Sequence, residues 1–213
     1  MLDAISPIAV LGPYRGGTSL VTGILKELGC FTGNAFFDAQ SGYCTYEDEW
    51  LRCCCLQCFD ENTKRYRGTF EQRVANLRCW AEFARSETAA NSFSTYVGKH
   101  PTMCMLINEL EIAWQFDGEP PPLFVSVERP VEDTIRSWDK AKTPTGHPWW
   151  PRPDREAFVN SLIIHRDNSL AKCNAVNIDF QRLRSDSESE ILKLAKACGL
   201  PQTLLPEASR LIK

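Results

Sequence analysis

An arginine, two glycines and two hydroxyl residues stand side by side near the start of the chain, as Arg15-Gly16-Gly17-Thr18-Ser19. Glycines let backbone N–H groups point into one concavity, and an arginine adds a full positive charge with several hydrogen-bond donors. The hydroxyls fall in the first turn of a predicted helix, whose N-terminus carries roughly half a positive charge. These residue types at this spacing favour the binding of a phosphate or a similar anion.

The residues on either side of this run predict a strand, a turn and a helix. Residues 8–11 are mostly apolar and predict a short buried strand, which Gly12-Pro13 ends. Apolar residues after the turn recur at helical spacing, at Leu20, Val21, Ile24, Leu25 and Leu28. Phosphate sites of α/β proteins are built in this way. A glycine turn that joins strand to helix without any ligand is the simpler alternative.

The Walker A loop, G-x-x-x-x-G-K-[ST], provides a comparison for this turn. Gly12 and Gly17 have the separation of its glycines, but Thr18 stands where that motif has its lysine. Without the lysine, no side chain of the loop reaches the β- and γ-phosphates of a nucleoside triphosphate as the lysine of the Walker motif does. The sequence therefore disfavours hydrolysis of ATP or GTP.

Further basic residues are predicted to lie at the ends of other strands. Leu123 to Val127 predicts a second clear buried strand, with Arg129 at its C-terminal end, and Lys99-His100 follows a possible strand at 94–98. Strands that alternate with helices indicate a parallel sheet covered on both faces, with ligands at the C-terminal edge. We therefore predict one α/β domain over residues 1–213, with a mainly parallel central sheet flanked by helices and a P-loop-like phosphate-binding loop after the first strand.

Composition narrows the classes of partner. The 43% hydrophobic and 24% charged fractions are those of an ordinary globular protein, and the net charge of −3 argues against a nucleic-acid binder. No run of about 18 apolar residues is present, and Met1 to Pro7 has neither a basic nor an apolar targeting region. We therefore expect a cytoplasmic protein without a membrane partner. The sequence does not indicate an oligomeric state.

Ten cysteines are more than usual, and four of them cluster at Cys53, Cys54, Cys55 and Cys58. A zinc site needs paired clusters, and the C-x-x-C at 55–58 has no second such pair to complete it. Most of these residues are expected to be reduced, partly buried thiols that pack as small apolar side chains. A metal site and a redox role for the cluster are the alternatives, and we predict no metal.

Taken in order, these motifs resemble those of the sulfotransferases that use 3′-phosphoadenosine 5′-phosphosulfate (PAPS), particularly the compact bacterial type. The 5′-phosphosulfate loop of that family follows the first strand as [KR]-[SG]-G-T-[ST], which residues 15–19 fit at every position. Its 3′-phosphate motif begins with an arginine that closes a strand and has a serine eight residues later, as Arg129 and Ser137 do. Lys99-His100-Pro101 lies between them, where the family often has K-x-P or K-x-H. Residues 177–183 and 199–201 are similar to its V-x-[FY]-E-x-L and G-[LV]-P ending.

The resemblance implies a cofactor, a reaction and a set of site residues. PAPS would bind through Arg15, Gly16, Gly17, Thr18 and Ser19 at one end and through Arg129 and Ser137 at the other. Its sulfuryl group would pass by in-line displacement to a hydroxyl or amine of a small-molecule or glycan acceptor, releasing adenosine 3′,5′-bisphosphate. Arg15 would stand where the family's cation meets the bridging oxygen. Lys99 would bind the sulfuryl oxygens; the alternative is that it is a solvated residue at the end of a strand.

Two residues are candidates for the general base. Glu47 follows Gly42-Tyr43, two residues later than the glutamate of the compact bacterial members. Its alternative role is favourable charge at the N-terminus of a helix. His100 is the second candidate, because an imidazole titrates near neutral pH and cytosolic animal-type members use a histidine after a lysine. A surface histidine that merely precedes a proline is the alternative there.

The chain also departs from the family pattern. Leu20 stands where the family has a tryptophan after the loop, so adenine stacking must come from elsewhere, and the Arg-Lys-Gly run of the animal-type members is absent. Aromatic residues that could line an acceptor pocket are Phe36, Phe37, Tyr43, Trp149 and Trp150. A P-loop kinase acting on a small metabolite and an inactive nucleotide-binding protein of the same fold remain alternative functions.

Overall fold

The computed structural model describes residues 6–38, 43–115, 119–141 and 152–212, with the backbone alone at 6, 35–38 and 43–44. Its strands are β1 (Ser6–Leu11), β2 (Ala35–Asp38), β3 (Tyr43–Asp48), β4 (Phe59–Asp60), β5 (Arg65–Tyr66), β6 (Thr95–Lys99), β7 (Leu123–Glu128) and β8 (Ala175–Asp179). Its α-helices are α1 (Thr18–Glu27), α2 (Glu49–Cys58), α3 (Phe70–Ala90), α4 (Ile107–Trp114), α5 (Val131–Lys140), α6 (Arg155–Leu170), α7 (Phe180–Ser185), α8 (Ser187–Ala197) and α9 (Leu205–Ser209). Short 3-10 helices span Pro101–Met105, Gln202–Leu204 and Arg210–Ile212.

Four of the strands form a parallel sheet in the order β6-β1-β7-β8. β1 is central, so that Ile8 lies opposite Val97 of β6 and Leu123 of β7. Parallel pairing of sequentially distant strands requires crossover connections, which the helices supply. The predicted α/β fold with a parallel central sheet flanked by helices is confirmed.

Side chains that alternate along β1 pack into two different cores. Ala9 and Leu11 belong to the core formed with α2, α3, α4 and α6, which includes Trp80 and Phe158. Ile8 and Val10 belong to the core on the other face of the sheet, formed with α1, α8 and α9. Because successive residues of a strand point to opposite faces, a continuous apolar run is what a doubly covered strand needs.

The segment after α1 differs from the sequence prediction. Residues 31–46 are rich in Gly, Asn, Asp and aromatic residues, which predicts an irregular segment, but β2 and β3 form an antiparallel pair with a register shift between Ala35 and Phe37. Glu47 lies in β3, whereas Asp48 is the N-cap of α2 and its carboxylate accepts the Leu51 N–H at 3.0 Å. The two strands pair with each other in a two-stranded sheet and are too short to produce a clear period-two pattern.

Two predicted helix starts also differ. Ser187-x-x-Glu190 has the pattern of a capping box and predicts a helix start there, but the box does not form, because the N-cap of α8 is Asp186 and its side chain makes no capping hydrogen bond. Glu190 is buried instead and lies 3.5 Å from the guanidinium of Arg182. Pro101 and the apolar residues that follow it at helical spacing predict a helix directly after Lys99-His100, but the segment begins with the 3-10 turn Pro101–Met105, and α4 follows at Ile107.

The cysteine cluster lies on α2. Cys54, Cys55 and Cys58 are buried and Cys53 is exposed. Burial raises the pKa of the Cys54 thiol to about 12, so it stays protonated at neutral pH. Within the described ranges, no three side chains of His, Cys, Asp or Glu are grouped so that they could hold a metal ion. Nor does any helix there combine the length and the apolar character needed to cross a membrane.

The cap of α2 can be tested against a matched aspartate. We expect Asp48→Ala to lower the free energy of unfolding by about 1–2 kcal/mol, since a helix N–H then loses its acceptor. Asp186→Ala is the control, because Asp186 is an exposed N-cap whose side chain makes no such bond, and it should change stability by less than about 0.5 kcal/mol. Urea denaturation of both variants measures this, and equal losses would contradict the assignment.

Candidate functional site

The loop between β1 and α1 is a tight glycine turn. The N–H of Gly16 donates to the carbonyl oxygen of Pro13 at 2.9 Å, and both Arg15 (φ 62°) and Gly17 (φ 95°) lie in the left-handed region. A Cβ at Gly17 would overlap the ring of Phe180, so only glycine fits there. The first N–H groups of α1 have no acceptor within their own helix, and the N-cap Gly17 has no side chain to supply one. This loop can therefore bind an anion through its backbone.

The strand next to β1 brings Arg129 to the same loop. Arg129 directly follows β7, and its Nη1 donates to the carbonyl oxygen of Arg15 at 2.8 Å. Arg15 Nε donates in turn to Ser137 Oγ, on α5, at 3.3 Å. The guanidinium of Arg129 also lies 4.7 Å from the ring centroid of Phe180. Two segments far apart in sequence thus form one cationic cluster.

A buried ion pair faces this cluster. Lys99, at the end of β6, donates from Nζ to Glu47 Oε1 at 2.6 Å and to the carbonyl oxygen of Thr45 at 3.2 Å. Ser19 Oγ donates to that same carbonyl at 3.1 Å. The side chains of Lys99 and Glu47 are 5% and 14% exposed. The pair therefore ties β3 and β6 to the first turn of α1.

The charge of Glu47 is set by its partner. Burial by itself would raise the pKa of this carboxyl group, but the positive charge and hydrogen bond of Lys99 outweigh it, so the pKa lies below its usual range. Glu47 is therefore an ionised carboxylate at neutral pH. It can accept a proton, although the ion pair makes it a weak base.

His100 is buried and is not among the residues that line the cleft. Its side chain is buried, and Nδ1 accepts the N–H of Thr102 at 3.3 Å. Burial lowers the pKa of His100 to about 4, so the imidazole is neutral at pH 7. A neutral ring that accepts at Nδ1 carries its proton at Nε2, which can then only donate.

One cleft gathers most of the residues predicted from sequence. Within the described part of the chain it has a volume of about 190 Å³, and its lining includes the predicted residues Arg15, Gly17, Thr18, Ser19, Glu47, Lys99, Arg129 and Ser137. Gly16 contributes to the turn but does not line the cleft, and neither does His100. The side chains of the aromatic residues suggested for an acceptor pocket lie outside the described residues.

Sequence reasoning missed Phe180 and a partly buried carboxylate, that of Glu61, which binds a residue of the cleft wall. Phe180 falls in the segment that resembles V-x-[FY]-E-x-L, and this resemblance was the only sequence signal for Phe180.

Tyr14 lines the cleft, and its hydroxyl donates to Glu61 Oε1 at 2.7 Å. The hydroxyl of Thr102 donates to the same oxygen at 2.5 Å. Burial raises the pKa of both Tyr14 and Glu61, so Tyr14 remains a hydrogen-bond donor.

A parallel sheet with a glycine turn between β1 and α1 defines a P-loop-like α/β fold. No protein-family model matches the chain, and no curated protein matches it by sequence. Among solved structures, it is similar to the sulfotransferase domain of the Synechococcus PCC 7002 olefin synthase. That likeness has 14% identity and a TM-score of 0.56 over 95% of this chain and 77% of the other.

The chain is also similar in structure to an unliganded sugar kinase from Janibacter sp. HTCC2649. It is 15% identical, with a TM-score of 0.54 over 94% of this chain and 98% of the kinase. At these identities the two likenesses establish the fold alone. The fold is therefore P-loop-like and occurs both in a sulfotransferase domain and in a sugar kinase.

The burial of His100 predicts a pH dependence of stability. The pKa of His100 is near 6.5 in the unfolded chain and about 4 in the folded protein. Above pH 6.5 the imidazole is neutral in both states, and the folded state has its full stability; below pH 6.5 the unfolded chain binds a proton that the folded protein does not, which favours unfolding. Stability is therefore lost progressively as the pH falls toward 4. Between pH 7 and pH 5 the protein should lose about 2 kcal/mol more stability than His100→Asn, which keeps a capping acceptor without titrating. Urea denaturation at both pH values measures the difference, and parallel losses would show that His100 is accessible to protons.

Proposed function

We propose that this chain is a transferase that moves a sulfuryl group from PAPS to a hydroxyl or amine of a small-molecule or glycan acceptor. The observation that carries the proposal is the direct contact between the Arg15 loop and Arg129, with a carboxylate on the other side of the same cleft. PAPS has two separate phosphate groups, so its binder needs two anion sites that lie close together.

The residues present suit that cofactor. The amides of Gly17 to Ser19 and the guanidinium of Arg15 would hold the 5′-phosphosulfate, as an amide nest does. Arg129 and Ser137 would hold the 3′-phosphate. Arg129 takes part in none of the ion pairs in the described part of the chain. When bound, PAPS supplies a sulfuryl group with a good leaving group, and the arginines would stabilise charge on that leaving group.

Glu47 is the general base in this proposal. It is ionised and lines the cleft, and Lys99 fixes its orientation. An acceptor hydroxyl becomes more acidic as its oxygen bonds to sulfur, so a weakly basic carboxylate can take the proton. The ammonium of Lys99 has three donors, of which Glu47 and Thr45 use two, and the third could reach a sulfuryl oxygen. His100 stays the second candidate, and its burial favours Glu47.

A kinase of the same fold is the competing function, because the sugar kinase shares the architecture over most of both chains. Its donor would be a nucleoside triphosphate with Mg²⁺. Thr18 in the place of the Walker lysine disfavours this alternative, since that position then contributes no charge to the triphosphate.

Thermal denaturation separates the sulfotransferase from the kinase. We expect adenosine 3′,5′-bisphosphate to raise the Tm without Mg²⁺, because the arginines and loop amides supply the neutralising groups. Arg129→Gln should weaken binding of the bisphosphate roughly ten- to hundredfold and that of adenosine 5′-phosphate far less. Arg136→Gln is the matched control, since Arg136 is an exposed residue of α5 that pairs with Asp133. Stabilisation by Mg-ATP alone would favour the kinase and refute the proposal.

Replacement of the carboxylate tests the base. We expect Glu47→Gln to bind the bisphosphate as the unaltered protein does, but to transfer sulfate 10²- to 10⁴-fold more slowly. Glu49→Gln, in the exposed neighbour that pairs with Arg52, should retain full activity. The measurement is transfer of radiolabelled sulfate from PAPS to a panel of phenols, alcohols, amines and oligosaccharides. If the unaltered protein binds the bisphosphate but transfers to no acceptor, an inactive binder is the better description.

A further inference from the structure

The short helix α7 is fixed beside the cationic cluster. Asp179 caps it by accepting the N–H groups of Gln181 and Arg182 at 2.8 and 3.0 Å. Leu183 is fully buried in the core. Gln181 Nε2 donates to Asp133 Oδ2 on α5 at 3.2 Å. The rotation of α7 about its axis is therefore determined by contacts on more than one side.

That rotation places Arg184 on the side of the helix that faces Arg129. Phe180, four residues earlier, has its ring 4.7 Å from the Arg129 guanidinium. Since a helix turns about 100° per residue, Arg184 lies about 40° from Phe180, in the direction of Gln181. Arg182 lies on the opposite side, where its Nε is 3.5 Å from Glu190 of α8.

Two arginines and one carboxylate, that of Asp133, act on the charge of Arg129. Burial lowers the pKa of Arg129, and the positive charges of Arg15 and Arg184 lower it further, against the opposing effect of Asp133. Asp133 is already bound by Arg136 and Gln181. Arg184 is exposed and takes part in none of the ion pairs of the described residues. Clustered cations of this kind repel one another and attract an anion.

We propose that Arg184 is the second arginine of the 3′-phosphate site, so that the phosphate monoester dianion is held between Arg129 and Arg184. Two guanidinium groups match the two negative charges of such a phosphate and can each form paired hydrogen bonds with its oxygens. This inference rests on the proposed function, because the ligand is the 3′-phosphate of the same nucleotide.

Isothermal titration calorimetry of the full chain tests the assignment. The ligands are adenosine 3′,5′-bisphosphate and adenosine 5′-phosphate, which differ only in the 3′-phosphate. We expect Arg184→Gln to weaken binding of the bisphosphate about tenfold and that of adenosine 5′-phosphate less than twofold. Arg182→Gln, on the opposite side of α7, should change neither by more than twofold. Arg184→Lys should give an intermediate loss, because it retains the charge but not the planar fork.

The outcomes separate the inference from the proposed function. If the unaltered protein binds the bisphosphate but Arg184→Gln behaves like Arg182→Gln, the role of Arg184 is overturned and the proposed function stands. Equal weakening of both nucleotides by Arg184→Gln also overturns it, since the 3′-phosphate would then not be the group bound. If the unaltered protein does not bind the bisphosphate, the proposed function fails and the inference fails with it.

Discussion

The hydrogen bond from Arg129 to the carbonyl oxygen of Arg15 joins the two halves of the candidate site. It depends on the parallel pairing of β1 and β7, which puts the C-terminal ends of both strands at the same edge of the sheet. The bond also supports a non-glycine residue with a positive φ, a conformation that costs of order 1–3 kcal/mol. Sheet topology therefore determines the shape of the loop as well as its neighbours.

The cleft separates its charges into two regions. Arginines lie at the loop and at the end of β7, whereas Glu47 and Lys99 form a buried pair on the opposite side. A buried carboxylate without a partner would become protonated or destabilise the fold, because desolvation of a single charge is expensive. Lys99 therefore keeps the carboxylate of Glu47 ionised within the cleft.

The fold by itself does not decide the chemistry. A sulfotransferase domain and a sugar kinase share the architecture at similar TM-scores, so the distinction must come from the side chains of the site. Thr18 in place of the Walker lysine and two arginines in contact at one edge favour a doubly phosphorylated nucleotide as donor. Phe180 adds to this arrangement, because it packs against both Gly17 and Arg129 and so fixes their relative positions.

Strong local signals in the sequence predicted the apolar strands β1 and β7, the glycine turn and the helix α1 that follows it, and hence the parallel sheet. No local pattern indicates that β2 and β3 pair, that Glu47 meets Lys99, or that His100 is buried and neutral; these features arise when the chain folds. Periodicity reports the environment of residues that are neighbours in the chain, whereas ion pairs and burial arise between side chains that are distant in it. A histidine has the same sequence signal at the surface and in the core, and its pKa is set by the packing around it.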